Sequence, residues 1–424
     1  MKLAVIGGGS TYTPELVAGL AREADRLDLG ALVLHDIDPE RREIVGGLAR
    51  RMLDAAGYRG TLEITDDLDR AVEGAGFVLI QLRVGGQTAR LSDETFPLAC
   101  GCIGQETTGA GGLAKALRTV PVVLEIAARV REIAADDAWI VDFTNPVGIV
   151  TRSLRDAGHR AVGLCNVAIG IQRLIARLVD VEPQRVLVDQ VGLNHLTWVR
   201  AVRLDGRDIL PELMADHGDA LADQAGQPRA VLDELGVVPS YYLRYFYFHD
   251  EIVAEQRDGI PRAATVADIE RQLLELYRDP TLTTKPKLLE QRGGAYYSEA
   301  ATQLVASLST GDGDVQVVDV RNNGTLDGLQ DDDVIEVPAR VESAGPVPLP
   351  QAPLAPELLG LVQHVAAYER LAANAATTGD RVVVHKALLA HPLIGQVPQA
   401  DELVDSLLSS GAEHLAQFDR TALA

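Results

Sequence analysis

The sequence predicts an α/β fold: a doubly wound parallel sheet in the first half of the chain, with an α+β second half packed on it. Three observations carry this. Up to about residue 180, short runs of Val, Ile, Leu or Phe, each followed by Gly, Asp, Asn or Arg, alternate with helix-length stretches. Strands of that composition are buried on both faces, as in parallel sheets. A glycine loop joins the first run to the first helix, the arrangement that opens a dinucleotide-binding βαβ unit. From about Val186 the alternation gives way to longer strands and clustered helices.

Element by element, Lys2–Ile6, Leu32–Asp36, Leu62–Thr65, Phe77–Leu82, Trp139–Phe143 and Ala161–Leu164 read as strands. Pro14–Ala24, Pro39–Ala56, Leu68–Glu73, Gly112–Ala135, Val147–Ala157 and Ala168–Val179 read as helices between and after them. In the second half Val186–Val191 and Leu196–Leu204 flank Gly192-Leu193-Asn194-His195, and Val315–Val320 and Val334–Val337 flank Asn322-Asn323-Gly324, a turn signal. Helices are expected near Pro211–Ala225, Pro239–Glu255, Val266–Tyr277, Gly294–Thr310, Pro356–Ala375 and Gln399–Ala416. Ser343–Pro356, with five prolines, reads as a surface connection. The expected domains are residues 1–185, binding a dinucleotide, and 186–424, completing the site.

Of 424 residues, 47% are hydrophobic, enough for a sizeable core. Lys and Arg total 39 against 61 Asp and Glu, a net charge of −22. Such a surface repels phosphodiester backbones and anionic lipid, so neither nucleic acid nor a membrane surface is an expected partner. An anionic small ligand would need a local basic pocket. No apolar run approaches the roughly 18 residues of a membrane span. The start runs directly into the glycine loop rather than reading as a signal peptide, and three cysteines are too few for a disulfide framework. The expected location is the reducing cytoplasm.

Gly7-Gly8-Gly9-Ser10-Thr11 follows the first strand and precedes a helix, so a pyrophosphate is expected at the helix N-terminus. Asp36, 27 positions after Gly9, suits the adenosine ribose hydroxyls and favours NAD over NADP, whose 2′-phosphate it would repel. The third glycine of G-x-G-x-x-G is absent; Tyr12 stands there. Gly104–Gly112, a second glycine-rich segment, reads equally as a flexible lid or a helix cap. Asp142-Phe143-Thr144-Asn145-Pro146 ends a strand either at a ligand or in a plain Asn-Pro turn. Arg83 and Arg90 are candidates for an anion or for surface carboxylates. Cys165 and His195 lie 30 positions apart, unlike a zinc-ribbon spacing, and on spacing alone read as a buried thiol and a hydrogen-bonded core histidine. Cys100 and Cys102, separated by Gly101, form a C-x-C that reads as incidental. The tyrosines of Pro239–Phe248 read mostly as a packed aromatic face, though one tyrosine beside a cation would serve as a base.

Taken together and in order, Gly7–Glu15, Gly104–Gly112, Phe143–Pro146, Gly163-Leu164-Cys165-Asn166-Val167, Gly192–His195, Tyr242-Leu243-Arg244-Tyr245 and Val320–Gly324 resemble glycoside hydrolase family 4, most nearly its 6-phospho-β-glucosidases. The resemblance implies a lactate/malate-dehydrogenase-like Rossmann domain, a bound NAD and a divalent metal, usually Mn²⁺, on Cys165 and His195. It implies Tyr242 as catalytic base, Glu106 raising its basicity, and Arg90, Asn145, Asn166 and Arg262 binding a phosphorylated glycoside or disaccharide. Gly7, Gly8, Gly9, Ser10, Thr11 and Asp36 would hold the cofactor. Such an enzyme oxidises C3, deprotonates C2, eliminates the aglycone, adds water at C1 and returns the hydride, needing no carboxylate pair. A homodimer or homotetramer is also implied. Two departures stand out. Tyr241 occupies a position where a small residue or proline is expected, leaving Tyr241 as the alternative base, and Cys102 replaces an aliphatic residue. Asn166, where α-specific members carry Asp, favours a β-linked substrate. The competing readings are an α-linked or unphosphorylated glycosidase, a hydroxyacid dehydrogenase, and a non-catalytic NAD-binding regulator.

Overall fold

The computed structural model describes residues 1–293 and 296–418. Within them β1 (Lys2–Ile6), β2 (Ala31–His35), β3 (Thr61–Thr65), β4 (Phe77–Ile80), β5 (Trp139–Asp142) and β6 (Ala161–Gly163) form a parallel array in the order β3-β2-β1-β4-β5-β6. Successive side chains of a strand point to opposite faces, and both faces are covered. Ala4, Ile6, Val78 and Ile80 pack beneath helix Gly109–Ile133, while Leu3, Val5, Leu32 and Leu34 pack against helices Thr13–Glu23, Pro39–Ala55 and Tyr297–Thr310. That two-sided burial is why these strands read as unbroken apolar runs.

The remaining strands are β7 (Val186–Leu193), β8 (Leu196–Leu204), β9 (Arg207–Asp208), β10 (Val238–Pro239), β11 (Val315–Arg321), β12 (Val334–Glu342) and β13 (Gly345–Pro348). They extend the same sheet. β11 joins β6 antiparallel through Asp319 and Gly163, β12 joins β11, and β7 joins β12 through Glu336 and Gly192. β8 and β10 continue outward from β7. The chain is therefore a Rossmann-type parallel sheet with an α+β second half, and one sheet crosses the expected division at 185/186 without a break.

Every expected strand and helix of the first half is present, with ends displaced by up to three residues. The helix Gly86–Ala99 has no counterpart in the expected elements: it opens on two glycines of positive φ, Gly85 and Gly86, and carries Pro97 in its last turn. In the second half the single helix expected over Pro239–Glu255 is instead three pieces. A 3-10 turn Tyr241–Leu243 runs into Arg244–Tyr247, and Phe248, at φ −132°, breaks the chain before His249–Asp258. Helix Tyr297–Thr310 matches the stretch expected over Gly294–Thr310, of which 294 and 295 lie outside the described residues. The proline-rich connection begins as β13, whose Pro346 and Pro348 pair along β12 at an edge, where a missing N–H is tolerated.

Candidate active site

A cavity of about 1120 Å³ opens at the C-terminal ends of β1, β4, β5 and β6. Between β1 and β4 the strand order reverses, the crevice where doubly wound sheets bind ligands. Gly7, Gly9, Ser10, Asp36, Arg90, Glu106, Asn145, Asn166, Tyr242 and Arg262 all line it. Its volume exceeds the upper range of roughly 1,000 Å³ for one drug-sized ligand, so it has room for a cofactor and a substrate side by side. Along its wall seven basic side chains face six carboxylates, against 39 and 61 in the whole chain, which makes it a locally basic place in an acidic protein.

The glycine loop is shaped by β2. The N–H groups of Gly7 and Gly8 both donate to the His35 carbonyl, at 2.9 and 2.7 Å. Gly9 donates its N–H to Asp36 Oδ2 at 2.7 Å, and Asp38 donates to Oδ1 at 3.0 Å. A Cβ on Gly9 would meet that same Oδ2 at 2.7 Å, so only glycine lets the loop close on the acid. Gly8 backs onto Leu34, and Thr11 is fully buried behind the loop, where its hydroxyl accepts from Arg292 Nε at 2.8 Å; neither lines the cavity. Tyr12 fills the place of the third glycine and packs edge-on against Tyr297, with ring centroids 5.2 Å apart, fastening the loop to helix Tyr297–Thr310.

The second glycine-rich segment is packed tightly rather than open as a lid. Gln256 brackets Gly104, accepting its N–H at 2.9 Å and donating to its carbonyl at 2.8 Å. Between Gly104 and helix Gly109–Ile133 the chain presents Gln105, Glu106 and Thr107 to the cavity. Glu106 is gripped by three cations: Arg83, Lys115 at 2.5 Å and Arg90 at 3.1 Å. Burial pushes its carboxyl up, but Arg83, Lys115 and Arg90 outweigh burial and hold it well below the usual range. Burial depresses Lys115 to about 8, with the charge of Arg83 adding to the fall.

At the end of β5, the Thr144 hydroxyl donates to the Ile80 carbonyl at 3.1 Å and accepts the Leu82 N–H at 3.1 Å, tying two strand ends together. Next to it Asn145 is both the Asn-Pro turn and a cavity residue, and its buried Oδ1 has no protein partner. After β6 come Cys165, 9% exposed, and Asn166 at the N-terminus of helix Val167–Leu178.

His195, also 9% exposed, sits at the β7–β8 hairpin turn with φ +64°. Gly192 makes the hairpin possible: its φ is +152°, and a Cβ there would lie 2.1 Å from the Leu196 carbonyl oxygen. Ser240 bonds the hairpin twice, through its N–H to Thr197 and its hydroxyl to the His195 carbonyl at 3.3 Å. Two residues on, the Tyr242 ring lies parallel to the His195 imidazole, centroids 3.7 Å apart.

Cys165, His195 and Tyr242 are all held in the interior; Cys165 acts on Tyr242, and Glu106 acts on both Tyr242 and His195. Burial drives His195 down to about 3, so its imidazole is neutral, the form that binds a metal. Its Nδ1 is engaged with the Thr107 hydroxyl at 3.1 Å, which leaves Nε2 for coordination. Burial, and then the charges of Glu336 and Asp319, hold the Cys165 thiol well above its usual range; a coordinated cation reverses that balance. Burial, then Cys165 and Tyr245, likewise holds the Tyr242 phenol high. Among the described residues no set of three His, Cys, Asp or Glu side chains converges on a point. A metal held by the Cys165 thiol and the His195 imidazole would therefore take its remaining ligands from outside this set, from substrate oxygens or water.

Two family models cover the chain: family 4 glycosyl hydrolase over residues 2–181 and its C-terminal domain over residues 190–394. The chain belongs to glycosyl hydrolase family 4. Among its relatives, this family 4 chain is 40% identical over 435 residues to a probable 6-phospho-β-glucosidase of Bacillus subtilis, covering 99% of this chain and 98% of that one. A phospho-α-glucosidase of Clostridium acetobutylicum is 28% identical over 435 residues, covering 96% and 97%. The crystal structure of the Thermotoga maritima 6-phospho-β-glucosidase with manganese, NAD⁺ and glucose 6-phosphate superposes with a TM-score of 0.91, 35% identity, and coverage of 98% and 99%.

In this glycosyl hydrolase some cavity residues had no sequence signal. Glu270 is buried and collects Arg41 at 3.1 Å, Arg292 at 2.9 Å, Gln87 at 3.0 Å and Thr11 at 3.3 Å. Burial would raise its carboxyl, but Arg292 and Arg41 prevail and lower it. The cluster joins the glycine loop, helix Gly86–Ala99 and helix Arg262–Tyr277, elements far apart in the chain. At the start of that last helix, exposed Arg262 donates to the carbonyls of Gln291 and Arg292 at 2.8 and 3.2 Å.

Proposed function

We infer that this chain hydrolyses 6-phospho-β-glucosides as an NAD-dependent glycoside hydrolase with a divalent metal, Mn²⁺ in the first instance. The observation that carries the reading is Tyr242, stacked on His195 and within the field of Cys165, lining one cavity with Asp36 and the glycine loop. When bound, NAD takes up and returns the C3 hydride within a turnover, while the metal polarises the C2 and C3 oxygens.

The chain's own residues do the rest. Gly7, Gly9 and Ser10 line the cavity toward the pyrophosphate, just ahead of the N-terminus of helix Thr13–Glu23, while Gly8 packs on Leu34 and Thr11 braces the loop from behind. Asp36 accepts the adenosine ribose hydroxyls. Cys165 and His195 hold the metal. Arg90 and Arg262 meet the phosphate, and Asn166, together with the Asn145 Oδ1 that has no protein partner, accepts and orients sugar hydroxyls. Tyr242, as the phenolate that the charge of a bound cation would favour, takes the C2 proton of the oxidised sugar; the electron pair left on C2 expels the aglycone oxygen from C1. After water adds at C1, the same phenol returns a proton to C2. Glu106 keeps Arg90 in place and adds negative charge that favours a proton on Tyr242. Tyr242, not Tyr241, is assigned as the base, because Tyr241 turns 42% of its surface outward and its hydroxyl accepts from Arg244.

Residues 1–185 hold the cofactor and residues 186–424 bring His195, Tyr242 and Arg262 to it. We read the protein as a cytoplasmic homodimer or homotetramer that takes phosphorylated disaccharides and binds neither nucleic acid nor membrane. Among the described residues no helix is long and apolar enough to cross a bilayer.

The test is release of nitrophenol from nitrophenyl 6-phospho-β-glucoside by nucleotide-stripped protein with Mn²⁺ and a thiol reductant. Release only after NAD⁺ is added, without accumulating NADH and faster than from the α anomer, is expected. Faster release from the α anomer, or stoichiometric NADH, overturns the assignment.

A further inference from the structure

The cavity wall includes a surface that the mechanism does not use. Tyr241, Arg244 and Ile260 line this part of the wall. Tyr241 is 42% exposed and Ile260 is 81% exposed, large apolar surfaces left uncovered at the rim. The Tyr241 ring is nonetheless fixed. It rests on Gly226, where an added Cβ would lie 2.7 Å from two of its carbons, so only glycine allows the ring to settle there. The Arg244 guanidinium lies 5.1 Å from the ring centroid and donates to the phenol oxygen at 2.6 Å. Arg244 is itself anchored by Glu255 at 3.2 Å. A ring supported at one surface and open at another is a preorganised stacking platform.

Its position says what it would carry. The centroids of Tyr241 and Tyr242 are 6.1 Å apart, with the rings nearly perpendicular. Tyr242 serves C2, and the leaving group departs from C1, the adjacent carbon. A group on C1 directed along the wall toward Tyr241 would meet its ring.

We propose that Tyr241, with Ile260 at the rim, forms the subsite for the leaving group, selecting aglycones that present a flat apolar ring face, an aryl group or a second pyranose. This rests on the reading of the cavity as a phosphoglucosidase site. Tyr241 touches the departing group and takes no part in proton transfer.

The test compares two substrates on the NAD- and Mn²⁺-loaded enzyme: nitrophenyl and methyl 6-phospho-β-glucoside, which share everything except the ring. Tyr241→Ala is expected to raise KM for the nitrophenyl glycoside about 5- to 10-fold, the worth of one aromatic contact, and for the methyl glycoside less than about 2-fold. Tyr241→Phe, which keeps the ring, should restore the aryl KM, and Ile260→Ser, at an exposed position with little bearing on folding, should raise it in the same sense. Dissociation constants for glucose 6-phosphate, which has no aglycone, should stay equal in all four proteins. If both KM values rise together, or neither moves, the subsite is overturned while the phosphoglucosidase reading stands. If the parent cleaves neither glycoside, that reading fails and the subsite fails with it.

Discussion

Asp142, Asp319, Glu336 and Glu369 place four carboxyl groups in the interior behind Cys165 and His195, where ionised acids without cations would be prohibitively costly. Burial answers the question by shifting all four toward the protonated form. It pushes Glu336 up to about 7 and Glu369 up to about 8, and holds Asp142 and Asp319 well above the carboxylate range, Asp319 further raised by Glu336 and Glu369. Asn194, one residue before His195, donates to Glu336 at 2.8 Å and so anchors the hairpin to β12. Glu369 shows what this arrangement costs. Its carboxyl is protonated in the folded chain up to about pH 8 but ionises near 4.5 once unfolded. Its contribution to stability is therefore complete below pH 4.5 and declines as the pH rises through 8. Glu369→Gln removes that decline. The melting temperature of the variant relative to the parent should increase by about 2–4 °C between pH 5 and pH 8.5 in calorimetry. A difference that is constant or shrinks with pH would show that Glu369 is ionised in the folded protein.

At the scale of elements, the segment most open in the sequence is Gly104–Gly112, which reads as either lid or cap. Its glycines are points of backbone contact. A Cβ on Gly104 would lie 2.0 Å from the Glu94 carbonyl oxygen, and one on Gly111 would lie 2.3 Å from that of Asp93. Helices Gly86–Ala99 and Gly109–Ile133 thus meet main chain to main chain, and the buried Asp93–Arg118 pair, bidentate at 3.0 and 2.7 Å, spans them. Gly111→Ala forces these helices apart, so its urea midpoint should correspond to a loss of about 1–3 kcal/mol. Because Glu106 lies between them, glucose 6-phosphate binding should weaken too. An unchanged midpoint would mean that the contact relaxes at no cost and that the glycine serves some other purpose.

Across the whole molecule, the legible parts are those whose information is local. Lys2–Ile6 is readable to the residue because a buried parallel strand is apolar throughout. Asp36 is readable because a loop of fixed length must return to the second strand. The joining of β11 to β6 and of β12 to β7 is not, since each rests on a single residue pair, Asp319 with Gly163 and Glu336 with Gly192. The Glu270–Arg292–Thr11 cluster is equally hidden, because its members lie as far as 281 positions apart and are ordinary residues of a mid-helix, a helix end and a loop. Tyr242 and His195 are legible only through the family pattern; no spacing rule places a tyrosine flat on a histidine 47 residues away. What the sheet accomplishes is to carry that pair, from the second half of the chain, toward the glycine loop built by the first. The claim that follows is proton removal at C2 by Tyr242, and isotope exchange tests it most directly. Glucose 6-phosphate released from nitrophenyl 6-phospho-β-glucoside in D₂O should carry one deuterium at C2 by mass spectrometry and NMR, and Tyr242→Phe should form it far more slowly. Product with hydrogen retained at C2 would contradict the elimination, and with it the role given to Tyr242.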